Sequence, residues 1–204
     1  MQRHMTTVLF ATLMGLSGYS AAAEEMGSTS FGIHGAYSTG GDIEESDTGL
    51  GLQMKFPVSN TVAIEVALTR FSDNFADSGV ALDQELTSLG VSALVQAPIA
   101  ASTNAYFLGG FNYNQIDVDV TVAPGVFPPG VTSSMDVDDA MGVHIGIGLD
   151  HQLNKNIGIF AEYRYTMLDL EGEITATNGI IAISQPVEGD YDFGLLKAGI
   201  NFSF

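Results

Sequence analysis

Leu196-Lys197-Ala198-Gly199-Ile200-Asn201-Phe202-Ser203-Phe204, a stretch of alternating side chains, decides the fold. Its even-numbered positions are apolar, and its odd-numbered positions are small or polar. Because successive side chains of a strand point to opposite faces, the stretch predicts a strand with one apolar and one polar face. Such a strand suits lipid on one side and a polar lumen on the other.

The beginning of the chain has the pattern of a secretory signal peptide. Arg3 precedes an apolar run over residues 8–16, and small residues follow up to Ala23. The run is far shorter than the roughly 20 residues that a membrane-spanning helix needs, so we expect cleavage rather than a membrane anchor. The sequence therefore predicts a cleavable signal peptide over residues 1–23 and one domain over residues 24–204.

The composition is that of a membrane protein without membrane helices. Hydrophobic residues make up 46% of the chain and the mean hydropathy is +0.22, yet no later segment is apolar for long enough to span as a helix. In hydrocarbon the backbone must satisfy its own hydrogen bonds, and a closed sheet is the alternative to a helix. A soluble β-sandwich behind the same signal peptide would also alternate, with its apolar face inward, and periodicity alone does not separate the two. The absence of cysteine excludes both an acylated lipoprotein and a disulfide-stapled secreted domain.

Alternation and turn residues predict eight strands. An even number of strands, with short periplasmic turns and longer outer connections, is typical of a single-chain barrel. The fold class is therefore all-β, an eight-stranded antiparallel up-and-down transmembrane β-barrel. The predicted strands are residues 30–39, 48–56, 62–71, 85–97, 104–118, 140–153, 157–170 and 191–204.

The chain is strongly acidic, with 24 Asp and Glu residues against 6 Lys and Arg and a formal net charge of −18. Most of the acidic residues fall in the four long connections and at the adjoining strand ends. This charge argues against nucleic acid and anionic membrane surfaces as partners. The long connections are near residues 40–47, 72–84, 119–139 and 171–190.

Five charged residues fall on the face predicted to point inward: Lys55, Glu65, Glu162, Arg164 and Lys197. A lumen eight strands wide is filled by side chains, so these groups must pair to offset the cost of burying charge. Lys55 and Glu65 lie five residues either side of a turn, which makes them cross-strand neighbours on a regular hairpin. The pattern predicts a salt-bridged plug, whose structural role we favour over a gate in which ion pairs exchange partners.

The chain resembles the small eight-stranded outer-membrane barrels, the family that includes the OmpA membrane domain and OmpX. The resemblance rests on the signal peptide, the alternating strands, the segment Ala161-Glu162-Tyr163-Arg164-Tyr165 and the terminal Phe204. It implies a monomer in the outer membrane of a Gram-negative bacterium, in contact with lipid and lipopolysaccharide. It also implies insertion by the barrel-assembly machinery, which reads Phe202 and Phe204 in the last strand. It implies no single activity, because such barrels serve as anchors, adhesins, channels and lipid-modifying enzymes.

Residues for catalysis are few. His34 and His144 point inward by parity, and His151 lies at the periplasmic end. We expect none of them to sit beside an inward serine in a recognisable arrangement. The sequence therefore predicts no enzyme and no cofactor, and a lipid A-modifying enzyme is the least favoured alternative.

Aspartates flank the third long connection and offer carboxylates that calcium or magnesium prefers. Their spacing matches no known calcium loop, so we favour a solvated acidic surface over a divalent-cation rim. The residues concerned are Asp117, Asp119, Asp136, Asp138 and Asp139.

The third and fourth long connections also carry apolar segments, residues 122–131 and 180–183. These segments predict either a contact with a surface partner through residues 119–139 and 171–190, or packing of the two connections into an extended ridge. The sequence thus favours a structural or cell-surface interaction role, and its alternative is a narrow cation-preferring channel.

Overall fold

A computed structural model describes residues 28–42, 46–77, 80–122, 132–177 and 182–204. The predicted signal peptide lies outside these residues, as do positions 123–131 and 180–181 of the two apolar segments. Within the described ranges no helix is long and apolar enough to cross a membrane.

The described part of the chain contains nine β-strands, most of which are joined by short connections. Their bounds are β1 Ser30–Thr39, β2 Thr48–Pro57, β3 Val62–Asp77, β4 Val80–Ala100, β5 Thr103–Val122, β6 Thr132–Val137, β7 Ala140–Gln152, β8 Ile157–Thr177 and β9 Ala182–Ser203.

Eight of these strands close into a ring in which every pairing is antiparallel. Each strand pairs with the next along the chain, except that β5 pairs with β7, and β9 closes the ring by pairing with both β1 and β8. Closure leaves no sheet edge within the ring, which is what a sheet in hydrocarbon requires. The prediction of an eight-stranded antiparallel barrel is confirmed.

Strand β6 stands outside the ring and was not predicted. It pairs with the outer part of β8, from Thr132 opposite Thr177 to Val137 opposite Gly172. Its sequence is Thr132-Ser133-Ser134-Met135-Asp136-Val137, and the alternation in it is limited to two apolar positions, Met135 and Val137, which is too short a pattern to identify a strand. Residues 132–137 of the third long connection thus pair with residues 172–177 of the fourth, while most of the apolar segments that suggested a ridge lie outside the described residues.

The strands that border three of the long connections run well beyond their predicted ends. The β3–β4 pairing continues to Asp77 opposite Val80, and the β8–β9 pairing continues to Thr177 opposite Ala182. The prediction that residues 72–84 and 171–190 are loops is therefore wrong. Polar side chains still alternate with apolar or small ones over residues 169–177, so the acidic residues there do not mark the end of the strand.

The two faces of the ring are inverted relative to a soluble protein. On the outside, Leu50 is 76% exposed and Phe107 is 69% exposed, whereas inward Glu65 is 0% exposed. Apolar side chains on the outer surface and polar ones inside are the arrangement of a barrel in lipid. This distribution excludes the β-sandwich alternative, which would bury its apolar face.

Charged residues on the outer face mark where the apolar surface ends. Arg70 and Glu85 form an exposed ion pair there, with Nη2 2.6 Å from Oε1. Asp117 and Asp169 are exposed at the corresponding ends of β5 and β8. Strand segments beyond these residues lie outside the lipid.

Two adjacent glycines of β5 give a matched test of the packed lumen. A Cβ on inward-facing Gly110 would lie 2.0 Å from the carbonyl oxygen of Val91, whereas the nearest atom to a Cβ on Gly109 is 3.8 Å away. We expect Gly110→Ala to lower the free energy of unfolding by about 1–3 kcal/mol because it overpacks the interior. Gly109→Ala should leave it almost unchanged. Urea unfolding of both variants in lipid vesicles measures the difference, and equal stabilities would contradict the proposed packing.

Candidate functional site in the barrel lumen

The structure brings the five predicted lumen residues together in the interior of the ring. All five are buried, with exposed fractions of 0% for Glu65, 2% for Lys197, 3% for Glu162, 5% for Arg164 and 6% for Lys55. They come from strands on different sides of the lumen, so the contacts cross the barrel and also follow its wall.

Arg164 lies at the centre of the ion-pair network. Its Nη2 is 2.8 Å from Oε1 of Glu65 and 2.7 Å from Oε1 of Glu162. The Arg164 Nε also donates to Glu162, at 3.0 Å. Since the guanidinium is planar and carries several donors, it can hold two carboxylates at once without losing geometry. Strand β8 supplies two of the three residues, and Glu65 reaches them from β3.

Lys197 joins the same two carboxylates from the neighbouring strand. It lies opposite Glu162 in the β8–β9 register, and its Nζ is 3.3 Å from that carboxylate. The same Nζ is 3.6 Å from Glu65 and donates to the side-chain oxygen of Gln53 at 3.4 Å. Both glutamates therefore share the same two cationic neighbours, Arg164 and Lys197, within the lumen.

Lys55 has a closer partner than the one expected from its hairpin. It lies opposite Glu65 in the register, as predicted, but their charged atoms are 4.0 Å apart. Its Nζ is instead 2.7 Å from the carboxylate of Asp150 on β7. The long lysine side chain reaches across the lumen, while Glu65 already binds Arg164. Asp150 is separated from inward-facing His144 by an even number of positions along β7, so the alternation of the strand could have identified Asp150 as an inward-facing partner of Lys55.

Aromatic rings of the lumen complete the surroundings of Lys55 and were not predicted. Its ammonium lies 4.6 Å from the ring centre of Tyr106 and 5.1 Å from that of Phe160. These distances are within the range of a cation–π attraction. The Tyr106 hydroxyl donates to Glu162 at 3.1 Å, so the ring also links the lysine to the rest of the network.

The network is balanced in charge. Three cations, Lys55, Arg164 and Lys197, face three carboxylates, and the third carboxylate is Asp150. Buried charges are tolerated when they are paired and hydrogen-bonded, and they become costly when one partner is lost. The arrangement therefore fills the lumen without a net charge of its own.

Two histidines lie among hydroxyl groups in the same interior. Ser92 Oγ is 2.8 Å from His144 Nε2, and Thr69 Oγ1 is 3.0 Å from His34 Nε2. The Ser92–His144 contact was not foreseen, because it joins strands that do not pair with each other. Within the described part of the chain the buried Nδ1 of His144 has no hydrogen-bond partner, so no described carboxylate orients the ring as a catalytic triad requires.

A small cavity lies beside the network. It measures about 20 Å³, which is room for a water molecule, and its lining includes polar Asn112, His144 and Arg164 as well as apolar Phe71 and Phe193. The side-chain oxygen of Asn112 is buried there without a partner among the described residues. Such atoms favour a buried water as their partner.

Apolar side chains cover the charged residues on the outer side. This outer apolar layer consists of Ala36, Phe71, Leu168, Phe193 and Leu195. A second apolar cluster, Ala63, Leu94, Tyr106 and Leu108, lies on β3, β4 and β5 beside the charged residues. The ion-pair network therefore lies below the outer apolar layer, and its carboxylate Asp150 is partly exposed.

The predicted divalent-cation rim is only partly assembled in the described residues. Asp117, Asp138 and Asp139 are exposed, and the Tyr113 hydroxyl donates to the carboxylate of Asp139. For Asp119 and Asp136 the structure describes the backbone positions alone. Among the described side chains no three His, Asp or Glu residues are grouped as metal ligands. The cation rim stays a prediction.

The start of the first outer connection is fixed against β9. The N–H of Asp192 donates to Oδ2 of Asp42 at 2.9 Å, and the N–H of Asp42 donates to the carbonyl of Asp192 at 2.8 Å. The backbone hydrogen bond holds the pKa of Asp42 below its ordinary value, and the side-chain hydrogen bond with Asp42 raises the pKa of Asp192. A Cβ on Gly41 would lie 2.1 Å from the same Asp192 carbonyl, so this approach requires glycine.

Comparison with known proteins agrees with this geometry. The sequence matches the outer membrane protein beta-barrel domain family over residues 8–204. The chain belongs to this family. No curated protein sequence is significantly similar to it. As a member of the outer membrane protein beta-barrel domain family, the protein lies in the outer membrane of a Gram-negative bacterium.

Solved structures of other barrels share the fold of this family member at low sequence identity. OprG from Pseudomonas aeruginosa is 17% identical with a TM-score of 0.65, and the alignment covers 88% of this chain and 97% of OprG. Neisserial surface protein A is 17% identical with a TM-score of 0.59, covering 89% and 100%. Ail from Yersinia pestis is 15% identical with a TM-score of 0.52, also covering 89% and 100%. These similarities concern the fold alone.

Removing the shared carboxylate should unbalance the lumen. Glu65→Gln leaves three buried cations with two carboxylates, so we expect the free energy of unfolding to fall by about 3–5 kcal/mol. The matched control is Glu85→Gln, which breaks an ion pair whose two side chains are 59% and 50% exposed and should cost no more than about 1 kcal/mol. Urea unfolding in vesicles of one lipid composition checks both values. A Glu65→Gln variant as stable as the control would contradict the interdependence of the lumen charges.

Proposed function

We propose that this outer-membrane barrel is a non-conducting scaffold that presents its outer strand extensions to partners at the cell surface, and that it has no catalytic role. The observation that carries the proposal is the closed lumen. A salt-bridged plug fills the lumen below the outer apolar layer, and the cavity beside it measures only about 20 Å³.

Ion conduction would require more than a side-chain rotation. Arg164 would have to leave two carboxylates at 2.8 and 2.7 Å, and each released carboxylate would stay buried. Beyond the charges, an ion would still have to pass Phe71 and Phe193 of the outer apolar layer. Both steps carry a desolvation cost, which supports a structural role for the network over a gate.

The outer extensions are the part of the molecule that is available to partners. From Asp169 opposite Asp190 to Thr177 opposite Ala182, nine residue pairs of β8 and β9 continue beyond the apolar belt. At about 3.3 Å per residue this is a length of roughly 30 Å along the strand. Binding residues commonly lie on such projections from a rigid scaffold.

A surface role is compatible with the name of another protein that has this fold. Ail from Yersinia pestis has the name attachment invasion locus protein, and its structure is similar to this chain with a TM-score of 0.52. A shared fold does not transfer an activity, so the support is limited to showing that such a barrel can serve at the surface. Here the regions of interest are residues 119–139 and 171–190.

Single-channel recording tests the closed lumen directly. We expect the refolded, heat-modifiable barrel of residues 24–204 to give no conductance steps in a planar bilayer at two salt concentrations, because the ion-pair network and the outer apolar layer leave no path for ions. A porin of known conductance, refolded in the same way, serves as the positive control. Reproducible cation-selective steps would overturn the proposal in favour of the channel alternative.

The enzyme alternative is tested separately. Overexpression in a bacterial host should leave the mass spectrum of lipid A unchanged. A new acylation or deacylation product that depends on this protein would contradict the absence of a catalytic role.

A further inference from the structure

The wall of the barrel is uneven in height above the membrane. Strand β1 ends at Thr39 and β2 begins at Thr48, while their neighbours β3 and β9 continue outward. The β1–β9 pairing stops at Thr39 opposite Gly194, and the β2–β3 pairing stops at Gly49 opposite Phe71. In the described residues no strand continues above the β1–β2 hairpin, and we call this part of the wall, bordered by residues 72–77 of β3 and 182–191 of β9, the notch.

The backbone of β9 turns hydrogen-bonding groups into the notch. The N–H and C=O of Asp192 both face the first outer connection, where they bond to Asp42. Because these groups alternate along a strand, the N–H and C=O of Asp190, Glu188 and Ser184 point the same way. In the described part of the chain no strand pairs with them on this side.

The backbone of β3 does the same from the opposite side. The carbonyl of Val62 accepts the N–H of Val58 and therefore faces β2. The register of β3 continues without a bulge to Asp77, so the N–H and C=O of Ser72, Asn74 and Ala76 also face that side. No β2 residue pairs with them, because the β2–β3 ladder has ended at Phe71.

Pro186 is independent support for an open edge on β9. It has the parity of Asp192, so the N–H that proline lacks would have pointed into the notch. Its position opposite Glu173 leaves the β8–β9 ladder intact. Proline within a sheet is typical of an edge whose donors face away from the sheet, where it also limits indiscriminate pairing.

The notch has the width of two strands. In the ring, β1 and β2 separate β9 from β3, which gives three interstrand spacings of about 4.8 Å, or about 14 Å in all. A single added strand would satisfy one edge and leave the other unpaired. A two-stranded hairpin would satisfy both and continue β1 and β2 outward.

We propose that the notch is a docking site for a basic β-hairpin of a partner protein, which pairs its two strands with the free edges of β3 and β9. This inference rests on the surface role proposed above and names the class of partner. Strand addition to an exposed edge is an established mode of recognition, in which backbone hydrogen bonds supply affinity.

The acidic residues that border the notch favour a basic partner. Glu188 and Asp190 are exposed on the β9 border, and the chain as a whole has a formal net charge of −18. The basic side chain nearest this rim, Arg70, is already paired with Glu85. A second copy of this chain would bring a second net charge of −18 to the contact, so self-association through the notch is opposed by repulsion.

Synthetic hairpins test the proposal on the refolded barrel in detergent. The probe is a cyclic hairpin peptide with alternating Lys and Thr, labelled for fluorescence anisotropy. The first control carries N-methyl groups on the outward-facing backbone nitrogens, and the second replaces Lys with Glu. We expect the Lys peptide to bind, and each change to weaken binding at least tenfold.

Variants of the barrel test the two edges. Each proline variant, Asn74→Pro or Asp190→Pro, removes one N–H that faces the notch. Its control, Asn74→Ala or Asp190→Ala, keeps that N–H but also loses the polar side-chain group. Heat-modifiability confirms that each variant is folded. We expect each proline variant to bind the Lys peptide at least fivefold more weakly than its alanine control.

Contrary results separate this inference from the proposed function. No binding of the Lys peptide, or equal binding of its N-methylated form, would overturn edge pairing in the notch. Equal affinities of the proline and alanine variants would overturn it as well. These results leave the closed lumen untouched, whereas conductance steps would overturn the proposed scaffold without bearing on the notch.

Discussion

The requirement that every backbone N–H and C=O in hydrocarbon be paired within the protein governs this molecule. It closes eight strands into a ring, and the ring fixes which side chains face lipid and which face the lumen. A lumen of this width has room for side chains but little else, so the charges placed there must meet one another. The contacts of Arg164 with Glu65 and Glu162 follow from that confinement.

This constraint also determines how much could be predicted from the sequence. Period-two alternation identified the ring strands and placed Lys55 and Lys197 inward, since parity is unchanged along a strand that keeps one face in lipid. Alternation in β6 is too short to identify a strand, and the outward part of β8 is rich in acidic residues typical of a loop, although polar and apolar or small positions still alternate over residues 169–177. Alternation gave no guide to contacts across the lumen. The Lys55–Asp150 and Ser92–His144 contacts join strands that are not paired with each other, so their formation depends on side-chain length and barrel diameter.

The lumen and the outer extensions differ in how their charged residues are paired. In the lumen three cations and three carboxylates are balanced within one network. The outer extensions place like charges opposite each other, as in Asp169 with Asp190 and Glu171 with Glu188. Such pairs weaken a ladder, so their presence favours a surface selected for contact with other molecules over one selected for stability alone.

The burial of the lumen charges has a consequence for how the protein responds to its surroundings. Mobile ions in the medium screen exposed charges over a Debye length of about 8 Å at physiological ionic strength, but they screen Glu65, Glu162 and Lys197 much less, since these side chains are at most 1% exposed. Salinity thus acts on the acidic extensions and leaves the interior electrostatics alone. A bacterium that moves between dilute and salty water would alter the reach of the surface it presents while the barrel beneath keeps the same cohesion.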